Sequence, residues 1–220
     1  MKTLTSESYN IAWFKLADFV ARKEKERALS VLRLLMHSIS DEALTYQLEG
    51  DILQAFQDYS AIDRYHAAAQ MYQKLGKFQQ AISSHHYAIR FQENEKTLSA
   101  ILQLYIALED KAGISSSFSK MADYIITTKN SDYLIDVTHA IAAPLPLNIQ
   151  TLLQTQLTVS ILLYDADYKK ISELIQNTLN FLQQDLKTAH TSSHLSQFLA
   201  DLKILNFKEY KKAELYLKDV

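Results

Sequence analysis

The side chains best suited to bind a metal ion are the seven histidines, because the sequence contains no cysteine. His190 and His194 are four positions apart, a spacing that would place both imidazoles on one face of a helix. The residues between them are mostly threonine and serine, which indicates a polar turn with a capping serine. No HExxH motif surrounds the pair. The sequence therefore predicts no metal site.

Nucleophilic catalysis has no sequence motif here either. The three glycines, Gly50, Gly76 and Gly113, are isolated, so neither a G-x-S-x-G turn nor a glycine-rich phosphate loop can form. The serines at 115–117 follow Gly113 and are explained by hydroxyl groups that cap free N–H groups at a helix start. Carboxylates are plentiful, but no spacing places two of them in one apolar pocket. We therefore predict that the protein is not an enzyme and needs no cofactor.

The overall composition narrows the classes of partner. The net charge is -2 over 220 residues, so no strong positive field attracts nucleic acid or an anionic membrane. The first seven residues contain no apolar run, and the longest apolar stretch, at 157–164, is too short to span a bilayer. Together with the absence of cysteine, this predicts a soluble, cytoplasmic protein that binds neither nucleic acid nor membrane.

Helices must form most of the chain, since three glycines and two prolines leave few residues for the turns of a β fold. Apolar residues recur at helical spacing almost throughout. The spacing predicts stripes at 13–20 and 29–36, then helices at 41–57, 60–75, 78–92, 95–109, 115–128, 132–142, 147–163, 168–187, 192–205 and 207–218. Pro144 and Pro146 interrupt this pattern. We therefore predict an all-α fold of about twelve helices.

The sequence also repeats itself with a period of about 33 residues, in the range typical of helical solenoids. One set of matches pairs Trp13 with Tyr46, Ala17 with Gly50, Val20 with Leu53, Ala28 with Ala61 and Leu32 with Tyr65. A second set, offset by one helix, pairs Tyr65 with Leu98, Ala69 with Leu102, Tyr72 with Tyr105 and His85 with Phe118. Both sets predict stacked helix pairs.

A recurring turn signature supports this interpretation. A polar residue and an aromatic residue are followed by a small or branched residue, as in Asp58-Tyr59 with Ala61, Lys77-Phe78 with Ala81, Asp167-Tyr168 with Ile171 and Glu209-Tyr210 with Ala213. We expect the aromatic ring to fill the corner between two helices. The small residue would allow the helix axes to approach within about 8–10 Å.

These residues resemble the tetratricopeptide repeat. The best copy, at 62–92, has Tyr65, Ala68, Ala69, Tyr72, Gly76, Phe78, Ala81 and Ala88 at the family's positions, with His85 at a position that is usually aromatic and buried. Copies at 43–75 and 10–42 match less completely, and Ser40 and Glu93 replace the usual closing proline. The resemblance implies an α-solenoid of antiparallel helix pairs. We therefore predict such repeats at 1–143, and further C-terminal helical repeats at 144–220 that continue the first part and end in a polar capping helix at 207–218.

The resemblance also implies a concave groove lined by the first helix of each repeat, but two registers compete because the helix at 60–75 belongs to both copies. One register places Asp63, His66, Gln70, Gln73, Lys74 and Gln103 in the groove. The other places Gln47, Asp51, Gln54 and Gln80 there. We favour the first register, because the copy at 62–92 needs no deletion.

The predicted function is that of a non-catalytic scaffold or adaptor, which binds a peptide or helix of a partner protein in this groove. One alternative is a chaperone for a secreted bacterial client, since small tetratricopeptide-repeat proteins include such chaperones. Another is a helical-repeat RNA-binding protein that stacks bases on some of its thirteen tyrosines. Neither the partner nor the oligomeric state is predicted.

Overall fold

The computed structural model describes residues 6–165, 167–189 and 193–218. These residues form twelve α-helices and no strand, which confirms the predicted all-α fold class. The helices are α1 (Ser6–Ala21), α2 (Lys25–Met36), α3 (Glu42–Ala55), α4 (Ala61–Lys74), α5 (Phe78–Ile89), α6 (Glu95–Ala107), α7 (Lys111–Thr128), α8 (Ser131–Ala142), α9 (Leu147–Tyr164), α10 (Ile171–Ala189), α11 (Ser193–Leu205) and α12 (Phe207–Lys218). Helices with substantial mutual contact are adjacent in the chain or next but one, which is consistent with a helical repeat.

The chain forms two compact units, the first ending at Leu104 and the second beginning at Tyr105. In the first unit, α4 packs extensively against both α3 and α5. In the second unit, α9 packs against α7, α8, α10 and α11. The predicted change of repeat character at residues 143–144 falls inside the second unit and stays a prediction. No helix in the described ranges is long and apolar enough to cross a membrane.

Four helix–helix turns share one backbone geometry. Lys23, Gln57, Gly76 and Glu109 all adopt positive φ angles, between 54° and 70°. At each turn, this residue's N–H donates to the carbonyl three residues earlier, and the next N–H donates to the carbonyl five residues earlier. This is the Schellman arrangement that satisfies the last carbonyls of a helix. It confirms that Gly76 lies in a turn.

The spacing of these turns explains why two sequence copies overlap. Lys23 and Gln57 end α1 and α3, whereas Gly76 and Glu109, 33 positions apart, end α4 and α6. Helix α4 therefore has the same type of turn on both sides and packs extensively on both neighbours. One helix thus satisfies the packing pattern of both copies.

Burial favours the second set of period-33 matches. The buried residues of this set are Tyr65, Leu98, Ala69, Leu102, Tyr72, His85 and Phe118. The remaining residue, Tyr105, which the period pairs with Tyr72, is half-buried. In the first set, Ala17 is exposed and Trp13 and Val20 are half-buried. In the copy at 62–92, the buried positions are Tyr65, Ala68, Ala69, Tyr72, Ala81 and Ala88, and Phe78 is half-buried. The choice of register stays a prediction.

The predicted role of the aromatic turn residues is only partly correct. Ala61, Ala81 and Ala213 are buried as expected. Tyr59, however, is 68% exposed and contacts the edge of the Phe91 ring instead of filling a corner. At this turn the small residue is buried as predicted, but the aromatic ring does not fill the corner.

The predicted start of α7 is wrong by four residues. The helix begins at Lys111, because the Asp110 side chain accepts a hydrogen bond from the Gly113 N–H at 3.1 Å and acts as the N-cap. Ser117 therefore lies inside the helix, where its hydroxyl donates to the Gly113 carbonyl. The serines at 115–117 do not cap the helix.

Gly50 allows α3 to approach α4 closely. A Cβ atom at this position would lie 2.8 Å from Cε1 and 2.9 Å from Cδ1 of Tyr65. The Tyr65 ring is fully buried, and its hydroxyl donates to Asp51 and Gln54 at 2.9 and 2.6 Å. The ring is attached to the backbone at one end and its hydroxyl is hydrogen-bonded at the other. It therefore has little freedom to move away from a Cβ atom at position 50.

We expect Gly50→Ala to lower the free energy of unfolding by about 1–2 kcal/mol. The steric cost of overpacking, about 1–3 kcal/mol, exceeds the gain in helix propensity of up to about 1 kcal/mol. Urea denaturation measures the difference. In a Tyr65→Leu background the clashing ring atoms are absent, so Gly50→Ala should there be neutral or stabilising. An equal loss in both backgrounds would contradict the assigned contact.

Candidate functional site

A groove lies in the second unit, between α8 and α10. It consists of two adjoining cavities of about 450 and 390 Å³. His139 and Asn177 line both cavities, so the two form one continuous groove. Neither Asn177 nor His139 is buried, and the groove is therefore accessible to a ligand.

Helical periodicity places the groove residues on one face of each wall. On α8 they are Asp132, Ile135, Asp136, His139 and Ala142, and on α10 they are Glu173, Leu174, Asn177, Asn180, Phe181 and Gln184. Successive members are mostly three or four residues apart, the spacing of neighbours on a helix surface. The side chain of Asn130 caps α8 by accepting from the Tyr133 N–H at 2.8 Å. This cap defines where the α8 wall begins.

Helix α9 supplies Gln150 and Gln154 to one of the cavities, and buried threonines join this helix to α10. Thr158 and Thr178 lie with their hydroxyl oxygens 2.7 Å apart. The Gln154 amide donates to the Thr178 hydroxyl at 3.3 Å. All three side chains are buried. Because buried polar groups are costly to leave unpaired, these bonds hold α10 in one register against α9.

Carboxamide groups dominate the part of the groove that we call the amide end, defined by Gln150, Gln154, Asn177, Asn180 and Gln184. Gln150 donates to the Leu145 carbonyl at 2.7 Å, and the Asn180 oxygen accepts from the Tyr216 hydroxyl at 3.0 Å. Asn177 and Gln184 are exposed, and neither side chain bonds to another described residue. Two amides are therefore free to bind a ligand.

The other part of the groove, the acidic end, is defined by Asp132, Asp136 and Glu173. Tyr168 donates its hydroxyl to the Asp132 carboxylate at 2.7 Å, and Lys170 lies 3.8 Å from the same oxygen. Burial, followed by the hydrogen bond to Asp132, raises the pKa of Tyr168 to about 12, so this phenol stays protonated and remains a donor. Three carboxylates and one ammonium line this end, so it carries a net negative charge.

No protein-family model matches this chain, and no curated protein matches it. The function is therefore inferred from the groove and from the sequence pattern.

The residues predicted to line a groove on α4 and α6 belong to the first unit, whereas the α8–α10 groove belongs to the second. Asp63, Gln70 and Lys74 form an exposed strip, with Gln73 exposed beside it and His66 half-buried. Gln103 is exposed on α6. A role for these side chains in ligand binding stays a prediction.

The residues of the alternative register are in part occupied by internal contacts. Asp51 and Gln54 both accept from the buried Tyr65 hydroxyl, and burial raises the pKa of the Asp51 carboxyl. Gln47 is half-buried and Gln80 is exposed. At least two members of this set thus hold Tyr65 in place and are not free for a ligand.

Sequence reasoning did not find the α8–α10 groove, although a signal was present. Polar residues follow one another at helical spacing from Asp132 to His139 and from Glu173 to Gln184. Such a strip is also typical of a solvated helix face. Only the packing of both helices on α9 makes the two strips face a common space.

Three histidines bear on the predictions made from the sequence. His190 lies outside the described residues, so the pair it forms with His194 cannot be placed, and His194 itself lies 3.6 Å from the Asp185 carboxylate. His85 is buried, which confirms its interpretation as a core residue. Within the described ranges, no group of three histidine or acidic side chains is arranged to hold a metal ion.

His85 and His66 form a tilted pair with ring centroids 5.4 Å apart. Nε2 of His66 also lies 3.4 Å from the Thr97 hydroxyl of α6, whereas the buried Nδ1 of His85 has no hydrogen-bond partner among the described residues. Burial and the neighbouring His66 and His86 lower the pKa of His85 to about 4. Burial and Lys96 also lower the pKa of His66, against the opposing effect of Asp63.

We therefore expect the first unit to lose stability as the pH falls from 6.5 toward 4. In this window the unfolded chain binds a proton that buried His85 excludes, so protonation favours unfolding. The expected loss between pH 7.5 and pH 5 is about 2 kcal/mol from His85, measured by urea denaturation. His85→Phe should remove most of this loss. Phenylalanine is the residue at the matching repeat position, Phe118. The exposed variant His37→Gln should retain it, and an unchanged pH dependence in His85→Phe would contradict the assignment.

Proposed function

We propose that this protein is a non-catalytic interaction module that binds a peptide segment or helix of a partner protein in the groove between α8 and α10. We further propose that it is a degenerate relative of the tetratricopeptide-repeat proteins and acts in the cytoplasm as a scaffold or adaptor. The proposal follows from the chemistry of the groove walls, the dimensions of the groove and the rigidity of its supports.

The observation that carries the proposal is the pair of free amides beside an apolar surface. A carboxamide both donates and accepts hydrogen bonds, as a peptide backbone does. Asn177 and Gln184 can therefore pair with backbone groups of a ligand without regard to its sequence. Phe181, Ala142 and Ala143 line the same cavity and offer apolar area to a ligand side chain. This mixture is typical of sites that recognise an organic ligand.

The dimensions of the groove suit a short segment. Each cavity lies within the range of about 300–1,000 Å³ that is usual for ligand pockets. From Glu173 to Gln184 the wall of α10 rises eleven residues, or roughly 16 Å at 1.5 Å per residue. An extended peptide covers that length with about five residues.

The groove is also preorganised. Both walls are helices, and the buried bonds among Gln154, Thr158 and Thr178 hold α10 against α9. A rigid site loses little conformational entropy when a ligand binds, so more of the contact energy contributes to affinity.

The order of the helices supports the repeat interpretation. The groove walls α8 and α10 are both even-numbered, and α4 is the first helix of the favoured register. In a strictly alternating array, the helices of even number would be the first helices of successive repeats, which line the groove in the tetratricopeptide family.

Charge makes RNA a poor fit to the groove. Asp132, Asp136 and Glu173 face a single lysine there, and phosphate groups would be repelled. The chaperone alternative differs from the proposal only in the client, and no contact in the groove favours it.

The test begins with selection of binders to the full chain from a display library of random dodecapeptides. We expect Asn177→Ala to weaken the best peptide about five- to tenfold, because one or two hydrogen bonds are worth about 1–1.4 kcal/mol. Asn148→Ala, an exposed substitution outside the groove, is the matched control and should bind as the native protein does. Fluorescence polarisation gives the dissociation constants.

The same peptide distinguishes the α8–α10 groove from the strip on α4. Lys74→Glu and Asp63→Lys should leave binding unchanged if the proposal is correct. Weaker binding in these two variants together with normal binding by Asn177→Ala would locate the site on α4 instead. The proposal also fails if the library yields no specific peptide.

A further inference from the structure

We infer that the segment bound in the α8–α10 groove carries a lysine or arginine, whose cationic group lies at the acidic end between the two walls. This inference rests on the proposed function and names the side chain that determines specificity. It follows from the charge, the exposure and the pairing of four side chains.

Carboxylates project from both sides of the acidic end. Asp132 and Asp136 belong to α8, whereas Glu173 belongs to α10. They line a cavity of about 390 Å³, so a ligand group that enters it approaches all three. Charges of one sign on facing walls repel one another, and a cation between them relieves this repulsion.

Two of the three carboxylates have no partner in the described part of the chain. Asp132 accepts from Tyr168 and pairs with Lys170. Asp136 and Glu173 form no hydrogen bond or ion pair with any described residue. Both side chains are exposed at the groove and therefore available to a ligand. An ammonium or guanidinium group of the bound segment could pair with both of these carboxylates.

Lys170 partly occupies the acidic end in the free protein. Its ammonium lies 3.8 Å from Asp132, and both side chains are 67% exposed. An ion pair this exposed contributes little stability, so a ligand can displace it. Lys170 thus acts as an internal competitor of the ligand cation. The same geometry predicts that removing Lys170 strengthens binding.

The selection from random dodecapeptides provides the first test. Peptides enriched on the native protein should carry lysine or arginine at one fixed position relative to their other shared residues. For the best peptide, the double substitution Asp136→Asn and Glu173→Gln should weaken binding about tenfold, and more at low salt than at high salt. Asp123→Asn on α7, also exposed and outside the groove, is the matched control and should have no effect.

A charge exchange separates specificity from loss of folding. The double substitution Asp136→Lys and Glu173→Lys should reject the native peptide but bind a version in which its cationic residue is replaced by glutamate. Lys170→Ala should bind the native peptide about two- to threefold more tightly. Far-UV circular dichroism and urea midpoints establish that each variant is folded.

The outcomes distinguish this inference from the proposed function. Peptides that depend on Asn177 but lack an enriched cation, or that bind the Asp136→Asn and Glu173→Gln variant within twofold of the native protein, would overturn the inference and leave the proposed function standing. Failure to select any peptide would overturn both. A fixed cation together with successful charge exchange supports both.

Discussion

The second unit depends on the packing of α9 against its neighbours. Nine of its residues are buried, and α7, α8, α10 and α11 all contact it. Its buried apolar residues, Ile149, Leu153, Leu157, Ile161 and Leu162, and the buried polar residues between them lie on several sides of the helix, so α9 is stable only when neighbouring helices cover it. The helices that cover it, α8 and α10, become the two walls of a groove. The candidate site is thus a consequence of how the core is built.

Polar side chains have two different functions around this core. Gln154, Thr158 and Thr178 are buried and bond to one another, which determines how α10 lies on α9. Asn177 and Gln184 lie on the adjoining face of α10 and remain exposed. The first group gives the site its rigidity, and the second gives it the capacity to bind. A ligand would therefore meet preorganised donors and acceptors.

In the first unit, α4 likewise packs against helices on more than one side. Tyr65 fills the space that Gly50 leaves on α3, and its hydroxyl is held by Asp51 and Gln54. The same helix packs on α5, where Tyr65 stacks on Tyr87 with ring centroids 5.3 Å apart. Because α4 uses its apolar face for both neighbours, its remaining face stays exposed. The predicted strip at Asp63, Gln70 and Lys74 is that face, and its role stays a prediction.

Local physics made much of the fold predictable from the sequence. Helical spacing of apolar residues, the two prolines and the turn at Gly76 determine where helices begin and end, because each acts within a few residues. The start of α7 was missed because the Asp110 cap resembles any other loop aspartate until its bond to the Gly113 N–H is seen. The groove could not be predicted from the sequence, for a different reason. Strips of polar residues on α8 and α10 look like ordinary solvated faces, and only their common packing on α9 brings Asp136 and Glu173 to opposite sides of one cavity.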